Sequence, residues 1–280
     1  MNGPVLITGC SSGIGRATAL HLQQSGWQVY ATARDVASLA PLAAAGCRTL
    51  PLDVTREETM VSAVRRIEEA HGAIGALVNN AGYSQSGAIE TVPLERVRAQ
   101  FETNVFGPSR LTQLVLPGMR RARAGRIVNL SSMGGCFVLP GGGYYHATKY
   151  AIEAISDALR FEVARFGIEV VVIQPGLIRT SFSDTVVAEM RRGGAPEPYA
   201  HFEAEVARIT RESYVKGALA RFASEPEDVA RTIATALTAP RPKTRYVVSP
   251  SAHLLLALRK LLPDRLWDRF LARTYQQSGS

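Results

Sequence analysis

The chain of 280 residues is 46% hydrophobic and 20% charged, values of an ordinary soluble globular protein with room for one large domain. They exclude collagen-like, low-complexity and largely disordered architectures, and no apolar run reaches the roughly 20 residues that span a bilayer. The net charge of +8 is concentrated in residues 241–280, which hold eight bases against two acids; no nucleic-acid-binding module accompanies them, so no nucleic-acid partner is expected.

Short β-branched runs then alternate with stretches of helical period. Strands are predicted at residues 4–8, 28–33, 48–52, 76–79, 126–130, 169–174 and 245–249, with helices among them at 57–70, 94–116 and 227–237. Runs such as Val170-Val171-Val172-Ile173 are apolar at every position, as parallel strands buried on both faces require. The alternation predicts an α/β fold, a doubly wound Rossmann-type parallel sheet of about seven strands with helices on both faces. Residues 182–222 form an insertion of the length usual for a lid or binding loop. Beyond Pro250 the chain is amphipathic, and Pro263 splits residues 254–275 into two helices. One domain is expected, with a core over 1–250 that includes the 182–222 loop and a helical C-terminal extension over 251–280. No basic leader precedes the first strand, which predicts a cytoplasmic protein. Cys10, Cys47 and Cys136 are widely spaced, and the five histidines never fall at metal-ligand spacing, so neither a disulfide framework nor a metal site is expected.

The first strand runs into Thr8-Gly9-Cys10-Ser11-Ser12-Gly13-Ile14-Gly15. Glycines at a strand-to-helix junction let a pyrophosphate approach the backbone, and the helix N-terminus offers free N–H groups and positive dipole. The spacing differs from the GxGxxG form, and a bare tight turn is the alternative. The second strand ends in Tyr30-Ala31-Thr32-Ala33-Arg34-Asp35. Where an NAD enzyme places an acid for the ribose 2′-hydroxyl, Ala33 stands here and Arg34 follows, which favours the 2′-phosphate of NADP(H), with Ser11 as a further donor. Asp35 leaves NAD(H) open, since it could neutralise Arg34 or take the ribose itself.

Tyr145 and Lys149 are four residues apart and share a helical face. An ammonium near a phenol stabilises phenolate and brings tyrosine toward the working range of an acid–base catalyst. Ser132, thirteen residues earlier at the end of the fifth strand, lies where open α/β sheets bind ligands. Asn104 falls in a helical stretch expected beside the Tyr145 helix. Tyr144 is a rival donor by chemistry alone, and His146 is expected to pack or hydrogen-bond rather than catalyse.

Together these residues resemble the short-chain dehydrogenase/reductase family over roughly residues 4–250. Thr8, Gly9, Ser12, Gly13, Ile14 and Gly15 resemble its glycine motif, Asp53 and Val54 its adenine contact, and Asn79-Asn80-Ala81-Gly82 its fourth-strand motif. Asn104, Ser132, Tyr145 and Lys149 match its catalytic tetrad. Pro175-Gly176-Leu177-Ile178-Arg179-Thr180 matches the segment that holds the nicotinamide carboxamide. The resemblance implies hydride transfer between a nicotinamide cofactor and a carbonyl or alcohol. Ser132 would bind the carbonyl oxygen and Tyr145 would exchange the proton. Lys149 would hold the ribose and lower the Tyr145 pKa, and Asn104 would hold a water that links Lys149 to solvent. It also implies a homodimer or homotetramer through the helices carrying Asn104 and Tyr145.

The glycine motif, the Arg34 position and the extension look closest to the 17β-hydroxysteroid and retinol dehydrogenase branch. Met133, Cys136, Phe137, Val138, Leu139 and Phe182 are the candidate substrate lining, apolar walls that suit a lipophilic ketone, aldehyde or alcohol. An NAD-linked catabolic alcohol dehydrogenase and a non-catalytic dinucleotide-binding regulator are the alternatives. The leucines and cations of residues 254–262 suit a helix packed beside the substrate loop, a subunit contact, or peripheral association with an anionic membrane.

Overall fold

The structure, a computed structural model, describes residues 3–180, 185, 186, 188, 190, 198–215 and 218–275. Seven strands form its sheet: β1 (Val5–Ile7), β2 (Val29–Ala33), β3 (Arg48–Pro51), β4 (Ala76–Asn79), β5 (Gly125–Leu130), β6 (Ile168–Pro175) and β7 (Arg245–Val248). Their order is β3-β2-β1-β4-β5-β6-β7 and every pairing is parallel. The chain leaves β1 toward one edge and later returns to β1's other side with β4. That reversal opens a crevice at the carboxyl ends of the strands, where ligands of such sheets bind.

Ten α-helices are described: α1 (Gly13–Gln24), α2 (Ala40–Ala44), α3 (Glu57–His71), α4 (Leu94–Phe101), α5 (Gly107–Ala122), α6 (Gly143–Ala164), α7 (Ala200–Val215), α8 (Pro226–Thr238), α9 (Pro250–Leu261) and α10 (Asp264–Tyr275). Strand side chains alternate between two cores. Val5 and Ile7 face Leu22 of α1 and Ile233 of α8. Leu6 faces the opposite layer with Ile67 of α3 and Leu111 of α5. Burial on both faces explains why these strands read as unbroken apolar runs.

Three departures from the sequence-based expectation have local causes. The helix predicted over 94–116 is α4, a π turn at Glu102–Phe106, and α5. Gly107 follows the π turn because a Cβ there would collide with the Val54 carbonyl oxygen, so the helix presses directly on the loop after β3. Within the 182–222 insertion the chain forms α7 rather than a loop throughout. The third departure is Ser249, which enters α9 with φ of 89° and caps it by accepting from the Ala252 N–H at 3.2 Å. A left-handed φ at a non-glycine residue is strained, and Ser249 lies directly against Gly176 at the end of β6. No helix among the described residues is long and apolar enough to cross a membrane.

Candidate active site

A cleft of about 980 Å³ runs along the carboxyl ends of the strands, from the glycine turn to α7 and the end of α10. Its phosphate-binding end is built by a latch between β1 and β4. The Thr8 hydroxyl accepts from the backbone N–H groups of Asn80 and Ala81, both at 3.0 Å. In return the Asn80 side-chain amide donates to the carbonyls of Thr8 (2.8 Å) and Gly9 (3.1 Å). Gly9 and Gly13 have φ of 71° and 54°, the left-handed region in which glycine carries no steric penalty. Gly15 does not line the cleft; it lies behind the turn, where a Cβ would collide with the Gly9 carbonyl oxygen. Ser12 begins α1 without capping it through its side chain, which leaves the first N–H groups of the helix for an anion. These features fit a dinucleotide pyrophosphate.

Ser11, Ser12, Ile14, Arg34, Asp53, Val54, Asn80, Ala81 and Gly82 line this end, and Pro175, Gly176, Ile178 and Thr180 line the other side. Arg34 is exposed directly after β2. Asp35 is turned to another task, accepting from the Ala37 N–H at 3.0 Å as the cap of the following 3-10 turn. One Asp53 carboxylate oxygen accepts from both the N–H and the hydroxyl of Thr55.

The four tetrad positions converge from three elements. Ser132 lies beyond β5, its Oγ accepting from the Gly134 N–H at 3.1 Å and hydrogen-bonded to Tyr145. Lys149, one turn along α6 from Tyr145, donates from Nζ to the Leu130 carbonyl at 2.8 Å and sits 5.7 Å from the Tyr145 ring centroid. Asn104 stands behind the cleft wall in the π turn. Its amide donates to the Tyr83 carbonyl (2.8 Å) and the Thr148 hydroxyl (3.1 Å), and its oxygen accepts from the Tyr83 N–H.

Burial governs the titration of this cluster. Desolvation pushes the Tyr145 phenol up to about 12, against the opposing hydrogen bond with Ser132. Desolvation also brings Lys149 down to about 8, opposed by the negative charge of Glu153. In the chain alone desolvation therefore dominates, and the Tyr145 phenol is neutral near pH 7. Tyr144 points elsewhere, its hydroxyl donating to the Ile89 carbonyl. His146 braces the loop after β5: Nε2 accepts from the Leu139 N–H at 3.1 Å, so Nδ1 carries the proton donated to the Gly134 carbonyl at 2.8 Å. Burial lowers its pKa and keeps it neutral.

Of the candidate substrate lining, Met133, Phe137 and Leu139 face the cleft. Val138 is corrected: it is 44% exposed and outside the lining, because the loop alternates its side chains inward and outward. Cys136 also lies outside the lining, its sulfur accepting from the Gln174 amide at 3.3 Å. Phe182 lies outside the described residues. The sequence reading missed the opposite wall, formed by Val186, by Val206 and Ile209 of α7, and by Tyr275 at the end of α10. It also missed Glu203, a buried carboxylate that accepts from the Ala88 N–H (3.1 Å) and the Thr91 hydroxyl (2.7 Å) and so ties α7 to the loop before α4. Helical period marks these residues as inward-facing, but only the tertiary fold shows what they face.

Comparison with known proteins gives a consistent result. A family profile described as short chain dehydrogenase matches residues 4–191. The chain is 36% identical to 3-ketodihydrosphingosine reductase of Bacteroides thetaiotaomicron, covering 97% of each chain. It is 34% identical to 17-beta-hydroxysteroid dehydrogenase type 1 of Mus musculus, over 99% of this chain and 81% of that one. The solved structure of a short-chain dehydrogenase from Streptomyces avermitilis superposes with a TM-score of 0.79 at 32% identity, covering 100% of this chain and 99% of that one. A serine dehydrogenase complexed with NADP+ gives a TM-score of 0.75 at 27% identity, over 88% and 94% of the two chains.

Proposed function

The chain belongs to the short-chain dehydrogenase family and is an oxidoreductase that uses a nicotinamide dinucleotide, and from that premise we propose that it is an NADP(H)-linked reductase of lipophilic ketones or aldehydes, with the matching alcohols as substrates of the reverse reaction. The observation that carries this reading is the continuity of one cleft from the glycine turn and Arg34, past Ser132, Tyr145 and Lys149, to an apolar far wall. The names of the two curated relatives, a 3-ketodihydrosphingosine reductase and a 17-beta-hydroxysteroid dehydrogenase, support the same substrate class.

When bound, the nicotinamide supplies the hydride for reduction. The chain's own residues do the rest. Ser132 donates a hydrogen bond to the carbonyl oxygen and fixes its position beside the Tyr145 hydroxyl. Tyr145, held neutral by desolvation, gives its proton to the oxygen as negative charge develops there. The Lys149 ammonium stabilises the phenolate left behind, and Asn104 holds the Tyr83 backbone and the Thr148 hydroxyl beside both groups. Met133, Phe137 and the α7 face exclude water from the reacting carbonyl.

A panel of steroid, retinoid, aliphatic and quinone carbonyls, followed by NADPH absorbance, tests the reading. Turnover with at least one lipophilic carbonyl is expected, and Tyr145→Phe lowers it by about 10²–10⁴-fold, the usual contribution of a positioned acid, while NADPH still binds. A Tyr145→Phe enzyme with undiminished turnover overturns the assignment.

A further inference from the structure

The two C-terminal helices carry different chemistry on their two sides. Inward, Leu255, Leu258, Leu262 and Trp267 pack with Met133 and Phe137 beneath the cleft. Outward, Leu254 and Leu261, seven residues apart on α9, are 51% and 80% exposed. Leu266 and Phe270, four apart on α10, are also exposed. Lys260, Arg265, Arg269 and Arg273 are exposed among them. Arg259 is held by Asp264 at 2.6 Å, but these four cations form no ion pair among the described residues.

Exposed apolar side chains on helices that also carry four exposed cations against an exposed Asp268 are poorly suited to water, and they match interfacial helices whose apolar side chains enter a bilayer while their cations meet phosphate headgroups. We propose that the outer face of α9 and α10 docks the protein on an anionic lipid surface. A second copy of the chain fits this face badly, because a two-fold contact sets the same patch against itself and would bring the basic segment onto its twin. A nucleic acid would satisfy the cations but leave the leucines in water. Docking here also places the cleft beside the lipid, since Tyr275, at the end of α10, lines it. That last consequence rests on the proposed lipophilic substrate; the docking itself does not.

The test is co-flotation of the full-length protein with phosphatidylcholine vesicles, with and without phosphatidylglycerol. Binding is expected only with phosphatidylglycerol and is released by salt. Each cation near an anionic surface strengthens binding about fivefold, so a Lys260→Glu/Arg265→Glu variant partitions at least about 25-fold more weakly. Leu261→Asp weakens binding by about tenfold or more, with an unchanged melting temperature because Leu261 is exposed. Absence of binding to the anionic vesicles overturns the proposal, as does binding indifferent to Leu261→Asp. So does a dimer in sedimentation that Leu261→Asp dissolves, which would assign the face to a second copy. Duplex DNA binding as tight as vesicle binding and unaffected by Leu261→Asp overturns it in favour of a polyanion.

Discussion

Tyr145 and Lys149 illustrate how a pair that is readable in sequence acquires its properties only from its surroundings. Their four-residue spacing on α6 is visible in the chain, but the Leu130 carbonyl that receives the Lys149 ammonium comes from a strand nineteen residues away. Burying this ammonium is unfavourable: its pKa falls from 10.5 to about 8, a difference of roughly 3 kcal/mol between the charged and neutral forms. The unfolded chain binds more protons than the folded one between pH 8 and 10.5, so stability rises with pH across that window and the full penalty applies below it. Lys149→Met, in the absence of dinucleotide, therefore melts higher than the wild type at pH 7, by about 1–2 kcal/mol once the lost hydrogen bond to Leu130 is deducted. The advantage shrinks as the pH climbs through 8 toward 10, while activity is lost throughout. Thermal denaturation of both proteins across that range checks the sign; a wild type that melts higher at pH 7 contradicts it.

At the scale of elements, the glycine turn, the seven strands and the Pro263 break were legible because each is local: a missing Cβ, a continuous apolar run, a missing N–H. The insertion and the tail were legible only as lengths and periods. What they touch depends on contacts across the chain, such as Glu203 reaching Ala88 and Thr91, or the Ser251 hydroxyl accepting from the Leu177 N–H at 3.2 Å. The second contact matters for the site, because the start of α9 supports the Pro175-Gly176-Leu177 segment along the cleft. The tail is thus a structural part of the pocket rather than an appendage. Trp267 holds it down, 4% exposed and edge-on to Phe137 at 5.3 Å between ring centroids. Trp267→Ala is expected to destabilise the protein by about 3 kcal/mol or more, as truncation of a buried aromatic does, and to raise KM because Phe137 loses its backing. A single cooperative transition shifted to lower denaturant is the expected melt. A separate early transition with an unchanged main one would show that the extension folds apart from the core.

On the scale of the whole molecule, the parallel, doubly wound sheet was legible from alternation and from strands apolar at every position, whereas its strand order, with the reversal between β1 and β4, came only from the structure. The choice of cofactor is a finer matter, and the proposed preference for NADP(H) turns on one side chain at the rim. Arg34 stands exposed after β2 and lines the cleft, whereas Asp35, one oxygen of which accepts from the Ala37 N–H, is outside the lining, which favours the cation over the acid as the partner of a ribose 2′ substituent. A guanidinium binds phosphate through paired charge-assisted hydrogen bonds, and such a bond to one cofactor but not the other appears as a difference in ligand-induced stability. At a hundredfold excess over Kd a ligand stabilises the fold by about 2.7 kcal/mol, roughly 5 °C for a chain of this size. At equal concentration NADPH should therefore raise the melting temperature more than NADH. Arg34→Ala should remove most of that difference by weakening NADPH alone, because on the proposed reading the glycine turn, the Thr8–Asn80 latch and Lys149 would serve both dinucleotides equally. If NADH gives the larger shift, the preference lies with NAD(H); if Arg34→Ala lowers both shifts together, the 2′-phosphate is not what Arg34 recognises.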